Sequence, residues 1–159
     1  ERTRIMYDMQ LSDRSEELLE KVHPKLAEIV RETRDISEVE FEVIEGYRSQ
    51  KLADTMYEKG ASLNASSVHS YGQAVSLIVS VSGIPCTNTR AYEELAMSMK
   101  YAAENVNAGI KWGAARHIDN FCEYEGEPDE AMSDFCALQL KKNGEILDIA
   151  PGYFELVLD

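Results

Sequence analysis

Apolar positions along the chain follow two different spacings. Leu18, Leu19, Val22, Leu26, Ile29 and Val30 recur every three or four residues, which is one stripe of an amphipathic helix over roughly 13–34. Ser12 stands before it as a capping type. Pro24 lies inside the stripe and predicts a kink or two abutting helices. Residues 1–11 read as a short lead-in. Phe41 to Glu45 alternates as a strand that Gly46 ends. Ser49 to Lys59 reads as a helix with Gly60 as its stop, and residues 61–72 as a loop rich in Ser, Asn and Gly.

The clearest strand is Ala74 to Ser82. Val75, Leu77, Val79 and Val81 point to one face, and Ser76, Ile78, Ser80 and Ser82 to the other. A turn is predicted over Gly83–Asn88. Arg90 to Asn107 is a strong amphipathic helix through Tyr92, Leu95, Ala96, Met99, Ala103 and Val106, with Gly109 as its stop. Ile110 to Ala114 reads as a short strand. Pro128 and Gly144 bracket another helix, and Tyr153 to Leu158 alternates as a terminal strand. Long connections and a terminal strand favour α+β over a doubly wound sheet: a small, mostly antiparallel sheet with packed helices, in one domain over 1–159.

Composition narrows the function. The 159 residues hold 29 acids against 16 bases, for a formal charge of −13. So acidic a chain is unsuited to neutralising phosphates, which argues against nucleic acid and anionic membranes as partners. Apolar runs such as Leu77-Ile78-Val79 are far short of a membrane span, and no signal-peptide pattern is read. The chain opens on Glu1 rather than Met, and the expectation is that its start was trimmed or lies outside this numbering. Cys86, Cys122 and Cys136 are an odd count without C-x-x-C spacing, which points to reduced, apolar-packed thiols and intracellular synthesis, with a Cys122–Cys136 disulfide left open.

Five ordered motifs carry the chemistry: Val22-His23-Pro24-x-Leu26; Glu45-Gly46-Tyr47-Arg48-Ser49; Ser67-Val68-His69-Ser70-Tyr71-Gly72; Trp112-Gly113-Ala114-Ala115; and Phe154-Glu155-Leu156. Together they resemble the M15 family of zinc peptidases, particularly phage endolysins that act as L-alanyl-D-glutamate peptidases, and their D-Ala-D-Ala carboxypeptidase relatives. The resemblance runs from about residue 12 to 158.

It implies zinc ligands at the His of S-x-H, at an Asp seven residues later and at a His just before the terminal Phe-Glu-Leu. It also implies a general base in a D-x-P-H context and a substrate-binding Arg after the Glu-Gly turn. His69, Ser67, Gly72 and Arg48 match. The second ligand position is Ser76, and Tyr153 stands immediately before Phe154. Aligning Tyr153 to the missing His puts the base on Ala150. Aligning Pro151 to the family proline puts the His on Gly152, with Asp148 one residue early. Serine and a phenol that titrates near pH 10 are poor zinc ligands at neutral pH.

The expectation is therefore a catalytically inactive phage homologue without bound metal, in which His69 is a remnant ligand. Arg48, Glu45, Ser67, His69, Ser76 and Tyr153 would line a cleft for a peptidoglycan fragment or for another phage or host protein. It would be made in the bacterial host cytoplasm and carried in the virion if it is structural. Two alternatives stand beside it. One is a divergent zinc peptidase that cuts stem peptides, with His117, Asp119, Cys122, Cys86 or Asp148 as replacement ligands. The other is a host-protein-binding factor that uses the acidic surface. A serine hydrolase built on Ser76 and His69 is disfavoured, because no oxyanion or elbow motif accompanies the pair. His23 is read as a packing or surface residue, His117 as a loop hydrogen-bonding residue, Glu45 and Arg48 equally as a structural ion pair, and residues 123–130 as a solvated acidic entry to the next helix.

Overall fold

A computed structural model describes residues 10–47, 58–59 and 72–158. Within them the elements are α1 (Asp13–Leu19), α2 (Pro24–Ile36), β1 (Glu40–Glu45), β2 (Ala74–Val81), β3 (Ile84–Pro85), α3 (Thr89–Asn105), β4 (Gly109–Trp112), a 3-10 turn (Phe121–Glu123), α4 (Pro128–Asn143) and β5 (Tyr153–Val157). Most of the expected Ser49–Lys59 helix and of the 61–72 loop lies outside the described residues, and so does the lead-in up to residue 9.

The expected first helix is two helices. Ser12 caps α1 by accepting from the Ser15 N–H. The break falls at Pro24, where His23 Nδ1 accepts from the Lys25 N–H at 3.0 Å and so caps α2. His23 thus has a capping role that the sequence reading missed. Its own N–H donates to the Gly72 carbonyl at 2.7 Å, which ties the helix junction to the start of β2.

The sheet is antiparallel throughout, in the order β1-β2-β5-β4, with β3 pairing the end of β2. It is the α+β arrangement that the sequence predicts. The core lies between the sheet and α2 and α3: Leu26, Ile29, Val30, Val75, Leu77, Leu95, Met99, Ile110, Trp112 and Phe154 are all buried. Alternation sets the faces, since β5 buries Phe154 and Leu156 while Tyr153, Glu155 and Val157 lie on the half-exposed side.

Several boundaries depart from expectation. Val81 is 64% exposed, because it leads into a hairpin turn rather than continuing over the core. Ser82 and Gly83 both have positive φ, as a tight two-residue hairpin needs, so the expected turn at 83–88 includes the short strand β3. The long helix stops at Asn105, four residues before Gly109. Asn107 takes the left-handed conformation (φ 58°) and the Ala108 N–H reaches back to the Ala103 carbonyl. The expected strand over 110–114 ends at Trp112. Gly144 closes α4 in the left-handed conformation, as predicted. All three cysteines are half-buried and free, and the Cys122–Cys136 disulfide is not formed.

Candidate functional site

Three of the sequence-predicted positions meet around the junction of β2 and β5. Ser76 on β2 and Tyr153 on β5 are direct cross-strand partners, although 77 positions separate them in the chain. Glu45, at the end of β1, pairs with Ser76 from the other side, just after an irregularity at Val43–Glu45 that leaves Ile44 exposed. The sheet therefore lines up Glu45, Ser76 and Tyr153 across three strands. Arg48, Ser67 and His69 lie outside the described residues.

The turn that delivers Tyr153 is held on all sides. The Gly152 carbonyl accepts from the Leu77 N–H at 2.7 Å, and the Tyr153 N–H donates to the Ala150 carbonyl at 3.1 Å. Trp112 Nε1 donates to the Pro151 carbonyl at 2.8 Å. The Gly113 N–H donates to the Tyr153 carbonyl at 2.8 Å, and the Gly113 carbonyl accepts from the Ala150 N–H at 3.2 Å. A Cβ at Gly113 would lie 2.3 Å from the Ala150 carbonyl oxygen, so the Trp-Gly pair has a clear physical basis: the indole holds the turn while the glycine lets it approach.

The same turn also restricts which of its positions can carry a side chain. A Cβ at Gly152 would sit 2.0 Å from the Leu77 carbonyl oxygen, so no side chain fits there. On the alignment that sets Tyr153 at the expected His, the base position is Ala150, which carries no proton-transferring group.

Two residues that the sequence reading passed over complete the arrangement. Arg116 places its guanidinium 4.7 Å from the centroid of the Tyr153 ring, a cation–π contact. Its Nε also lies 3.1 Å from Asp148 Oδ2, with both side chains about one-third exposed. The Nε–H is not aligned on the carboxylate, so this contact is an ion pair and not a directed hydrogen bond. Asp148 is held in turn by buried Gln139 on α4. The Gln139 Oε1 accepts from the Leu147 and Asp148 N–H groups at 3.0 and 2.8 Å, and its Nε2 donates to the Asp148 carbonyl at 2.9 Å. Arg116 follows directly on Trp112-Gly113-Ala114-Ala115, and that adjacency was the one available signal. Gln139 offered none, because a polar residue within a helix reads as solvent-facing.

Among the described residues, the expected replacement ligands do not form a three-ligand cluster with one another. His117 stacks on Phe135 with ring centroids 5.6 Å apart. Cys122 lies by the carbonyl of Lys100, and burial pushes its thiol up to about 11. Among the described residues no cluster of three or more His, Cys, Asp or Glu side chains is placed to hold a metal ion. Residues 123–130 form the solvated acidic entry that was expected, with Glu123, Glu125, Glu127, Asp129 and Glu130 exposed. Beside the site, an apolar hollow of about 320 Å³ is lined by Ile44, Ile78, Pro85, Tyr92, Pro151 and Gly152 among others.

With this geometry in place, a family model described as phage L-alanyl-D-glutamate peptidase matches residues 7–140. The chain belongs to that family. Its fold is similar to the crystal structure of the Serratia marcescens L-Ala D-Glu endopeptidase ChiX, at a TM-score of 0.68 and 24% identity, covering 94% of this chain and 92% of that one. No curated protein matches the chain in sequence. This member of the phage L-alanyl-D-glutamate peptidase family presents a serine hydroxyl and a phenol where the resemblance implies an aspartate and a histidine. Zinc sites are built from thiolate, imidazole and carboxylate donors. A guanidinium beside Tyr153 further disfavours a second cation there. The side chains at 76 and 153 do not fit the metal that the family implies.

Proposed function

We propose that this chain is a non-hydrolysing member of its family that keeps the peptidase fold as a peptidoglycan-binding module, made in the bacterial host cytoplasm and carried in the virion. The observation that supports this most directly is the Ser76–Tyr153 cross-strand pair, with Tyr153 packed under Arg116. Zinc-dependent hydrolysis needs a metal held with an open position for water, and a base to take the proton. Serine and tyrosine supply neither role well, and Ala150 supplies no base.

The test pairs two measurements on the purified chain. Metal analysis after growth in ample zinc is expected to give well below one equivalent. Pull-down with purified sacculi is expected to retain the chain without releasing stem-peptide fragments. One zinc per chain together with new amino termini in the sacculi would overturn the proposal. That outcome would establish the second reading, an active stem-peptide peptidase, which the family match over residues 7–140 favours. If the chain is not retained on sacculi but forms a salt-sensitive complex with a basic protein, the exposed acids of residues 123–130 become the binding surface instead.

A further inference from the structure

The Arg116, Asp148 and Gln139 arrangement is not explained by the loss of two ligands alone. A site that had merely lost its ligands would leave Asp148 and the ring of Tyr153 facing solvent. Here a side-chain cation sits between them, 4.7 Å from the Tyr153 ring centroid and paired with Asp148 Oδ2 at 3.1 Å. The carboxylate is not placed by chance, because the buried amide of Gln139 accepts two hydrogen bonds from the backbone around it and donates one to it. The chain of contacts runs from α4 through Gln139 and Asp148 to Arg116, and ends on the strand residue opposite Ser76.

We propose that Arg116 is the resident cation of this site: its guanidinium supplies, from within the chain, the positive charge that balances Asp148 and covers Tyr153, and thereby excludes a divalent cation. Gln139 acts as a positioning residue through Asp148. The inference rests on the metal-free reading above and extends it. That reading concerns which donors are missing, whereas this one concerns what has taken the place of the metal's charge. Guanidinium suits the role because it stays protonated at any working pH, stacks on an aromatic face and pairs with a carboxylate at the same time. A metal ion brought beside it would meet like charge, and Asp148 would be engaged already.

The experiment restores the family donors with Arg116 kept or changed. Zinc affinity is measured by competition with a chromophoric chelator for the parent, for Ser76→Asp/Tyr153→His, and for that double variant carrying Arg116→Gln or Arg116→Lys. Near-UV circular dichroism checks the fold of each. The parent is expected to bind no zinc. Adding Arg116→Gln to the double variant is expected to tighten zinc by about tenfold or more, whereas Arg116→Lys, which keeps the charge, leaves it within about threefold. Equal affinities for the double variant and its Arg116→Gln derivative would overturn the inference. So would equal gains from Gln and Lys, because charge would then not be the cause. Zinc bound by the parent would instead overturn the metal-free reading, so the two failures are distinct. Should the double variant not fold, Tyr153→His alone, with Arg116 kept or changed to Gln, carries the test. Excess zinc is expected to raise the Tm of Tyr153→His/Arg116→Gln more than that of Tyr153→His, and equal shifts overturn the inference.

Discussion

Ser76 and Tyr153 face each other across the β2–β5 pair, and the next backbone contact along, from the Leu77 N–H to the Gly152 carbonyl at 2.7 Å, locks that register. A slip of one residue would turn Phe154 out of the core and Tyr153 into it. The register is therefore enforced by burial as well as by hydrogen bonding. Two positions far apart in sequence are brought to one place by the packing of the strands that carry them, whatever side chains they present.

Gly152 is the pivot of this arrangement. Gly152→Ala must push the new methyl against the Leu77 carbonyl oxygen, 2.0 Å from its ideal position, so the turn or β2 has to move. The expected loss is about 3 kcal/mol of unfolding free energy, near the upper end for a single small substitution. Gly144→Ala is the control. Nothing lies within 4 Å of its Cβ and only the left-handed φ of 79° is disfavoured, so about 1 kcal/mol is expected. Urea unfolding of the two variants checks the difference, and equal losses would contradict the close approach at Gly152.

Gln139 makes a separate prediction. Gln139→Ala leaves the Leu147 and Asp148 N–H groups and the Asp148 carbonyl without their partner, at an expected cost of about 2–4 kcal/mol. The loss should be local first. Hydrogen exchange is expected to speed at the amides of Leu147 and Asp148 while the amides of α2 and α3 keep their protection. Uniform acceleration across the chain would mean that Gln139 supports the whole fold rather than this one segment.

The elements were legible in the sequence where one period dominated. The stripe from Leu18 to Val30, the alternation of β2 and the Pro128–Gly144 bracket all mark real elements, because burial selects the apolar face directly. Element ends were less legible. Asn107 does the work expected of Gly109, since asparagine also tolerates the left-handed conformation, and Gly109 is spent instead on the close approach of the Asn120 side chain. Of the site, Ser76, Tyr153, Glu45 and Asp148 were visible through motif order. Arg116 and Gln139 were not, because their roles depend on which loop reaches β5, and no local spacing records that.

Trp112 offers a third measurement. Its indole N–H donates to the Pro151 carbonyl from a fully buried ring that also packs on Phe121 at 5.3 Å. Trp112→Phe keeps an aromatic body but removes the donor, leaving a carbonyl short of a partner and a gap in the core. An expected loss of about 2–3 kcal/mol follows from the two effects together. The same variant should loosen the turn before Tyr153, read as faster exchange at the Tyr153 amide. Unchanged exchange there would show that the Gly113 contacts hold the turn alone.

Cys122 gives the pH prediction. Burial first, and then the charge of Glu104, push its thiol up to about 11, against an ordinary value of 9.0, while a hydrogen bond with the Ile110 backbone and the charge of Lys100 act the other way. Because the thiolate is the nucleophile, alkylation at pH 8 is expected to be on the order of 100-fold slower in the native chain than in urea. The raised value also fixes the sign of a stability effect. The folded state favours the protonated thiol, so this contribution is intact below about pH 9 and falls as pH rises from there towards 11. Cys122→Ser should flatten that part of the alkaline stability curve, because serine does not titrate there. Iodoacetamide labelling followed by peptide mapping checks the rate, and thermal unfolding between pH 8 and 11 checks the slope. Equal labelling of Cys122 in native and unfolded chains would place the thiol in solvent and remove both expectations.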